Sequence, residues 1–436
     1  MKPFLLIAIL AILLPRPQEP SNAEAPRTVA FVGARLLPVS NQPIDDGTLL
    51  VRDGKIIAIG KREEIEVPSG FEVRDCTGKT ILPGLVCTHS HVGQPAGADR
   101  SAPIQPEVRV LDSIDVRHAS LQRAQAGGLT CVNVMPGSGH LLSGQTVYLK
   151  LKDGDTIEDL VIRDRAGEIC GGIKMANGTN SRRDPPFPGT RGKSAALVRE
   201  QFVRAQDYRA KIERAAGDAS KRPPRDLGLE ALVEVLERKR VVHHHTHRHD
   251  DILTVLRLAE EFGFRVVLHH VSDGWKVAEE IAAAEAPCSI IVIDSPGGKQ
   301  EALDVDFKTG GVLERAGVSV SFHTDDYITD SRLFLRSPAL AVRAGMSREA
   351  ALRAVTLEAA KQLDLDHRIG SLDVGKDADL AILDGDPFSV YSLVHETWVE
   401  GEKVFDYADP ADRLQALGGD GAGDFTDVNI CCGGAR

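Results

Sequence analysis

Histidine-rich segments carry the first chemical signal in this 436-residue chain, which holds fourteen histidines in all. In His89-Ser90-His91 the two imidazoles are two residues apart, a spacing that puts both on one face of an extended strand. Such a pair can clamp a divalent ion. Residues 241–252 hold five more histidines. Alternation groups His243, His245 and His247 on one face and His244 on the other, so one of the three points into a shared site. His243, His244 and His249 are read as supporting or solvent-facing, and His247 as a residue placed to touch substrate. The run 265–270 ends in His270, with His269 alternating outward. Ser321-Phe322-His323-Thr324-Asp325-Asp326 then supplies carboxylates, of which Asp325 follows its strand directly.

Imidazole and carboxylate ligands without thiolate suit zinc, and also manganese, iron or nickel. A bound divalent ion lowers the pKa of water to about 7, and a nearby carboxylate can carry the released proton to a departing amine. Asp325 is the residue for that role. Cys87, two positions before His89, is read as a packed thiol.

These residues need a scaffold that gathers distant strand ends. Candidate strands fall at 85–90, 130–135, 146–151, 172–176, 241–246, 265–270, 289–294 and 318–323, with helical segments at 197–215, 229–239, 251–262, 275–284 and 348–363. Eight parallel strands alternating with helices predict an α/β chain with a (β/α)8 TIM barrel, whose active site lies at the C-terminal strand ends. An open doubly wound sheet is the alternative, but no Gly-rich nucleotide loop follows the first strand. Residues 28–82 read as short strands, with a hairpin closing at Asp53-Gly54, and similar texture returns at 378–383 and 397–405. Residues 28–82 and 368–406 are therefore expected to form one composite β-sandwich domain, and 83–367 the barrel. A Gly-rich tail, 407–436, is expected to be disordered.

The net charge of −11 excludes nucleic acid as a main partner, and 42% apolar content supports a large core. Between Ser181 and Arg225, twelve Lys and Arg against five Asp and Glu leave a local positive excess. That run is either a solvated helical face or a basic cap drawing anionic substrate inward. His140 and Arg182, on loops near the strand ends, are substrate-binding candidates. The apolar stretch 4–14 is about half the ~20 residues needed to span a bilayer. It predicts a signal peptide over residues 1–23, an exported periplasmic or extracellular protein, and no membrane attachment after cleavage. Seven scattered cysteines do not form a disulfide framework.

Leu82-Pro83-Gly84-Leu85 before His89-Ser90-His91, the later histidines, Asp325, and Gly370-Ser371-Leu372-Asp373-Val374-Gly375-Lys376-Asp377-Ala378-Asp379-Leu380 resemble the metal-dependent amidohydrolase superfamily, most closely its imidazolonepropionase-related and prolidase-like members. The resemblance covers roughly residues 29–405. It implies that His89 and His91 bind one metal, His245 and His270 a second, and that Asp325 binds the first while shuttling the proton. It also implies that a fourth-strand lysine, carbamylated, bridges two zinc ions. Lys174 fits, with Lys150 as competitor. An ammonium, with a reference pKa of about 10.4, would repel two cations, whereas its carbamate is an anionic ligand. Cys87 departs from the aspartate that many relatives carry there.

The leading expectation is hydrolysis of an amide C–N bond in a small peptide-like or cyclic molecule by a metal-bridging hydroxide. One alternative is a mononuclear deaminase using His89, His91, His245 and Asp325 on one ion, with His270 assisting water. Another is a catalytically silent metal-binding barrel. A homo-oligomer, by default a dimer, completes the expectations.

Overall fold

The computed structural model describes residues 27–95, 99–291, 299–326 and 328–418. The expected signal peptide, the outer part of the seventh predicted strand and the end of the tail lie outside the described residues. Five strands open the chain: β1 (Thr28–Leu36), β2 (Ile44–Arg52), β3 (Lys55–Lys61), β4 (Glu72–Asp75) and β5 (Thr80–Pro83). β2 and β3 are joined by Asp53-Gly54, both left-handed at φ 47 and 75, the turn whose twist matches antiparallel strands. Gly54 is also required by space, because a Cβ there would sit 2.6 Å from Glu400 O.

Nine strands follow: β6 (Leu85–Ser90), β7 (Leu129–Val134), β8 (Leu142–Gln145), β9 (Val147–Lys150), β10 (Ile173–Ala176), β11 (Val242–Thr246), β12 (Val266–His270), β13 (Cys288–Ile290) and β14 (Val320–Phe322). The chain returns through β15 (Leu380–Leu383), β16 (Val394–Val399) and β17 (Glu402–Asp406). The strands from the two ends of the chain share one eight-stranded sheet, in which β15 pairs antiparallel with β5. This sheet curls around a core where Phe31 meets Trp398 edge-on at 5.1 Å, together with Leu49, Ile81 and Leu380.

The middle of the chain is an α/β domain of barrel-like kind. Parallel ladders run β10, β11, β12, β13, β14, while β6 and β7 pair in parallel in a second sheet. The expectation of eight parallel strands is corrected at the third. Residues 142–150 form a bent strand whose first half pairs antiparallel with β10 and whose second half pairs antiparallel with β7. One segment thus bridges the two sheets, and among the described residues the strands do not close into a single ring. β6 and β14 are linked instead by the Asp325 amide, which donates to His89 O at 3.1 Å, and by Thr88 Oγ1 beside Ser321 Oγ at 3.2 Å.

Most outer helices follow their predicted positions, but the expected helix 348–363 is two, Arg348–Ala354 and Leu357–Gln362, broken at Val355-Thr356. Arg191–Ala215 is capped by Thr190 and buries Val198, Phe202, Ala205 and Tyr208, one stripe at helical spacing. Phe202 stacks on Phe262 and Phe264 at 5.1 and 5.0 Å. The helix after β11 starts at His249, slightly earlier than expected, with Asp250 and Asp251 in its first turn favouring the positive end of its dipole. The expected unstructured tail is corrected at its beginning. Pro410–Leu417 is a helix, because Asp409 caps it by accepting from Ala411 N and Asp412 N and Pro410 occupies its first turn.

Candidate metal centre

Two donor groups form at the C-terminal ends of these strands. In the first, His89 Nε2 and His91 Nε2 lie 3.2 and 3.1 Å from the same oxygen, Asp325 Oδ1. His91 Nδ1 is 2.8 Å from Met135 O, so its proton sits there and its Nε2 lone pair faces Asp325. Asp325 reaches inward because its backbone is left-handed, at φ 49. Asp326 takes a different role: its carboxylate accepts from the hydroxyls of Ser90, Thr324 and Ser331 and pins the loop.

The second group is His245, His247 and His270, with ring centroids 4.2 Å apart for His245 and His270 and 4.6 Å for His245 and His247. Asn180 Nδ2 lies 3.2 Å from His245 Nε2, and His247 Nδ1 lies 2.8 Å from Ser272 Oγ. Lys174 is fully buried on β10, with Nζ 3.1 Å from His89 Nε2 and 3.0 Å from Met135 Sδ. Its competitor Lys150 points elsewhere, to Asp377 at 2.9 Å and Asp379 at 2.6 Å.

Simple alternation misplaces one histidine. His269, expected to face outward, is fully buried with its ring 5.2 Å from His89. The ladder is the cause: His269 pairs with His245 and so shares its inward face, while left-handed φ of 72 and 43 at His270 and Val271 break the two-residue period and bring His270 inward as well. His243 is likewise interior, bonded to His269 at 3.0 Å and to Tyr148 Oη at 3.0 Å. His244 is buried against His245 O, while His249 meets Asp273 Oδ2. His323 was not singled out from sequence. It lies against the donors, its ring stacked on His89 at 4.9 Å, and could form a third ligand group with His89 and His270. Its position two residues before Asp325 was the available signal.

The remaining candidates sit outside these groups. His140 Nε2 lies 2.7 Å from Asp99 O and its ring packs on Phe187, while Arg182 Nε donates to Gly178 O. Much of the basic segment is committed to ion pairs: Arg191 with Asp251, Arg199 with Glu261 and Arg225 with Glu230. That pattern fits the solvated-face reading of most of the run. The Cys87 thiol is pushed up to about 12 by burial and donates to His89 O, so it serves as packing beneath the site.

The residues fit a divalent cation. Burial, reinforced for His89 by Lys174, holds His89 well below the usual imidazole range, and burial with neighbouring imidazoles does the same for His270. Neutral imidazole is the metal-binding form. The buried Nε2 of His270 has no hydrogen-bond partner within the protein. Nitrogen and carboxylate donors without thiolate match zinc and its neighbours.

Comparison with known proteins agrees with this chemistry. Residues 238–405 match the model described as "Amidohydrolase family". The crystal structure of an amidohydrolase from Thermotoga maritima is similar at 32% identity and TM-score 0.80, covering 87% of this chain and all of that one. Amidohydrolase tasK of Hapsidospora irregularis is 27% identical over 395 residues, 83% of this chain, although the chain spans only 40% of that protein's length. Imidazolonepropionase of Sphingopyxis alaskensis is 26% identical, with 79% of this chain and 88% of that one covered. A zinc-bound adenosine deaminase from Xanthomonas campestris shares the fold, at 18% identity and TM-score 0.53, with 86% and 92% of the chains covered. The chain belongs to the amidohydrolase family, metal-dependent hydrolases of carbon–nitrogen bonds.

Proposed function

We propose that this protein is an exported binuclear metal hydrolase that cleaves an amide C–N bond in a small peptide-like or cyclic substrate. The observation that carries the reading is Lys174, buried on the strand beside β11 with its Nζ against His89 of β6. As a carbamate it would be an anionic ligand reaching both donor groups: His89, His91 and Asp325 for one ion, His245 and His270 for the other. Such ions supply an electrophile and lower the pKa of bound water to about 7.

The protein's own groups would do the rest. Asp325 Oδ1, facing both His89 and His91, would take a proton from the attacking water and return it to the departing amine nitrogen. His247, held by Ser272 within the second donor group, stands beside His245 and His270, where it can orient the substrate carbonyl. Burial of every one of these side chains excludes bulk water and strengthens their electrostatics.

In the working enzyme residues 1–23 are removed on export, 28–82 with 368–406 form the smaller β-sandwich domain, and 83–367 form a closed barrel. A homo-oligomer acting on a small molecule, without nucleic acid or membrane, completes it. Metal analysis of the purified protein, combined with a panel of N-acyl amino acids, dipeptides and lactams, tests the reading. It expects two ions per chain and amide turnover, both lost in Lys174→Ala. One ion per chain with ammonia released from a heterocycle would replace it with the deaminase reading.

A further inference from the structure

Below the donors runs a file of buried polar groups to which the proposed reaction assigns no part. Gln362 lies at its far end, where its Nε2 donates to Cys288 O at 3.3 Å and Ser319 O at 3.4 Å. Those two carbonyls fix the amide, so its Oε1 must accept, and Ser321 Oγ donates to it at 2.6 Å. With that proton committed, Ser321 can only accept from Thr88 Oγ1, 3.2 Å away. A Thr88 proton given to Ser321 or to Phe322 O keeps those contacts paired and leaves Thr88 to accept from Ser289 Oγ at 2.6 Å, the direction that satisfies every group in the file. Ser289 in turn accepts from His323 Nδ1 at 2.7 Å. His323 then has a lone pair at Nε2, which faces His270 Nδ1 at 3.4 Å.

We infer that this file, running from Gln362 through Ser321, Thr88, Ser289 and His323, fixes the tautomer of His270. Each hydroxyl has one proton to give, so the direction imposed by Gln362 propagates through every bond. His270 must donate from Nδ1, and its Nε2 is left as a bare lone pair. The geometry agrees, because that Nε2 is buried with no hydrogen-bond partner, on the side of the ring away from His323. A ring held in this tautomer is prepared to bind a cation without rearrangement, as outer partners prepare metal-ligating histidines elsewhere. His323 is thus a positioning residue, acting on the ion through His270. Thr88, Ser289, Ser321 and His323 are all fully buried between the strands, in positions where barrel-like domains as a rule place branched aliphatic side chains.

The inference deepens the two-ion reading but can be tested apart from it. In chelator-treated, 15N-histidine-labelled protein, His270 is expected to carry its proton on Nδ1. His323→Leu should mix the tautomers, and His323→Gln, whose Oε1 can accept the same bond, should restore Nδ1. On titration with Co2+, His323→Leu should weaken the second ion by about 10- to 100-fold and leave the first unchanged, with Gln rescuing. Retention of the first ion shows that the variant has folded. A wild-type His270 protonated on Nε2 overturns the inference, as does a His323→Leu protein with unaltered tautomer and Co2+ affinity. A third Co2+ bound by wild type and lost in the variant overturns it too, since His323 would then be a ligand itself. If wild type binds a single Co2+, the two-ion reading falls, while the metal-free tautomer still decides the inference.

Discussion

Lys174 Nζ lies 3.1 Å from His89 Nε2, across the site from the strand that carries it. Lys150 is also buried but is held by Asp377 and Asp379, just before β15. Two lysines of similar sequence setting thereby acquire different work. Lys174→Ala should lose metal and activity together with little loss of fold, read by metal content and thermal melting in the same preparation.

Lys150→Met should do the reverse. It leaves Asp377 and Asp379 buried without their main cation, a change that typically costs about 3–5 kcal/mol. Urea unfolding should report that loss while metal stoichiometry stays at the wild-type value. A drop in metal content equal to that of Lys174→Ala would contradict the assignment.

Asp377 gives this cluster an acid signature. Burial acts to raise its pKa, but the charges of Lys150, Lys55 and Arg368 prevail and hold it at about 2, below the ordinary 3.8. A depressed folded pKa adds stability that is present above the unfolded value and lost as pH falls through the folded one. Asp379 moves in the opposite sense, raised by burial, so the comparison must isolate Asp377. The stability gap between wild type and Asp377→Asn should therefore narrow as pH falls from about 5 to about 2. A gap that stays constant across denaturant melts in that window would refute it.

Asp325→Asn should retain the fold and reduce kcat/KM for an amide substrate by about 10²- to 10⁴-fold, the usual worth of a positioned acid/base group. Asp326→Asn should act mainly through stability, because its carboxylate is used by Ser90, Thr324 and Ser331. Equal kinetic losses in the two variants would remove the distinction between them.

Chelation should lower the melting temperature, and added Zn2+ should restore it in a concentration-dependent manner. Binding to the folded state alone contributes about 2.7 kcal/mol at a hundredfold excess over Kd. A melting curve indifferent to EDTA would mean that these histidines hold no ion.

The residue types that bind metal were legible in the chain, as were most strands bearing them, because strand periodicity and histidine spacing are local properties. His89 and His91 share a face for the same reason that any two residues two apart in a strand do. Locality also explains what could not be read. Strand direction depends on which neighbours accept the backbone, so residues 146–151 were legible as a strand, but their antiparallel direction and the preceding strand at 142–145 were not. His269 faces inward because it pairs with His245 on the neighbouring strand, and His270 joins it because left-handed φ values there and at Val271 end the alternation. His323 gains its place through Ser289 and His270, 34 and 53 residues away. By itself the sequence determined a strand-and-helix scaffold carrying imidazole and carboxylate donors at its strand ends. Only the tertiary structure decided which lysine meets them and which aspartate faces them, because partners are chosen by proximity and burial across strands far apart in the chain.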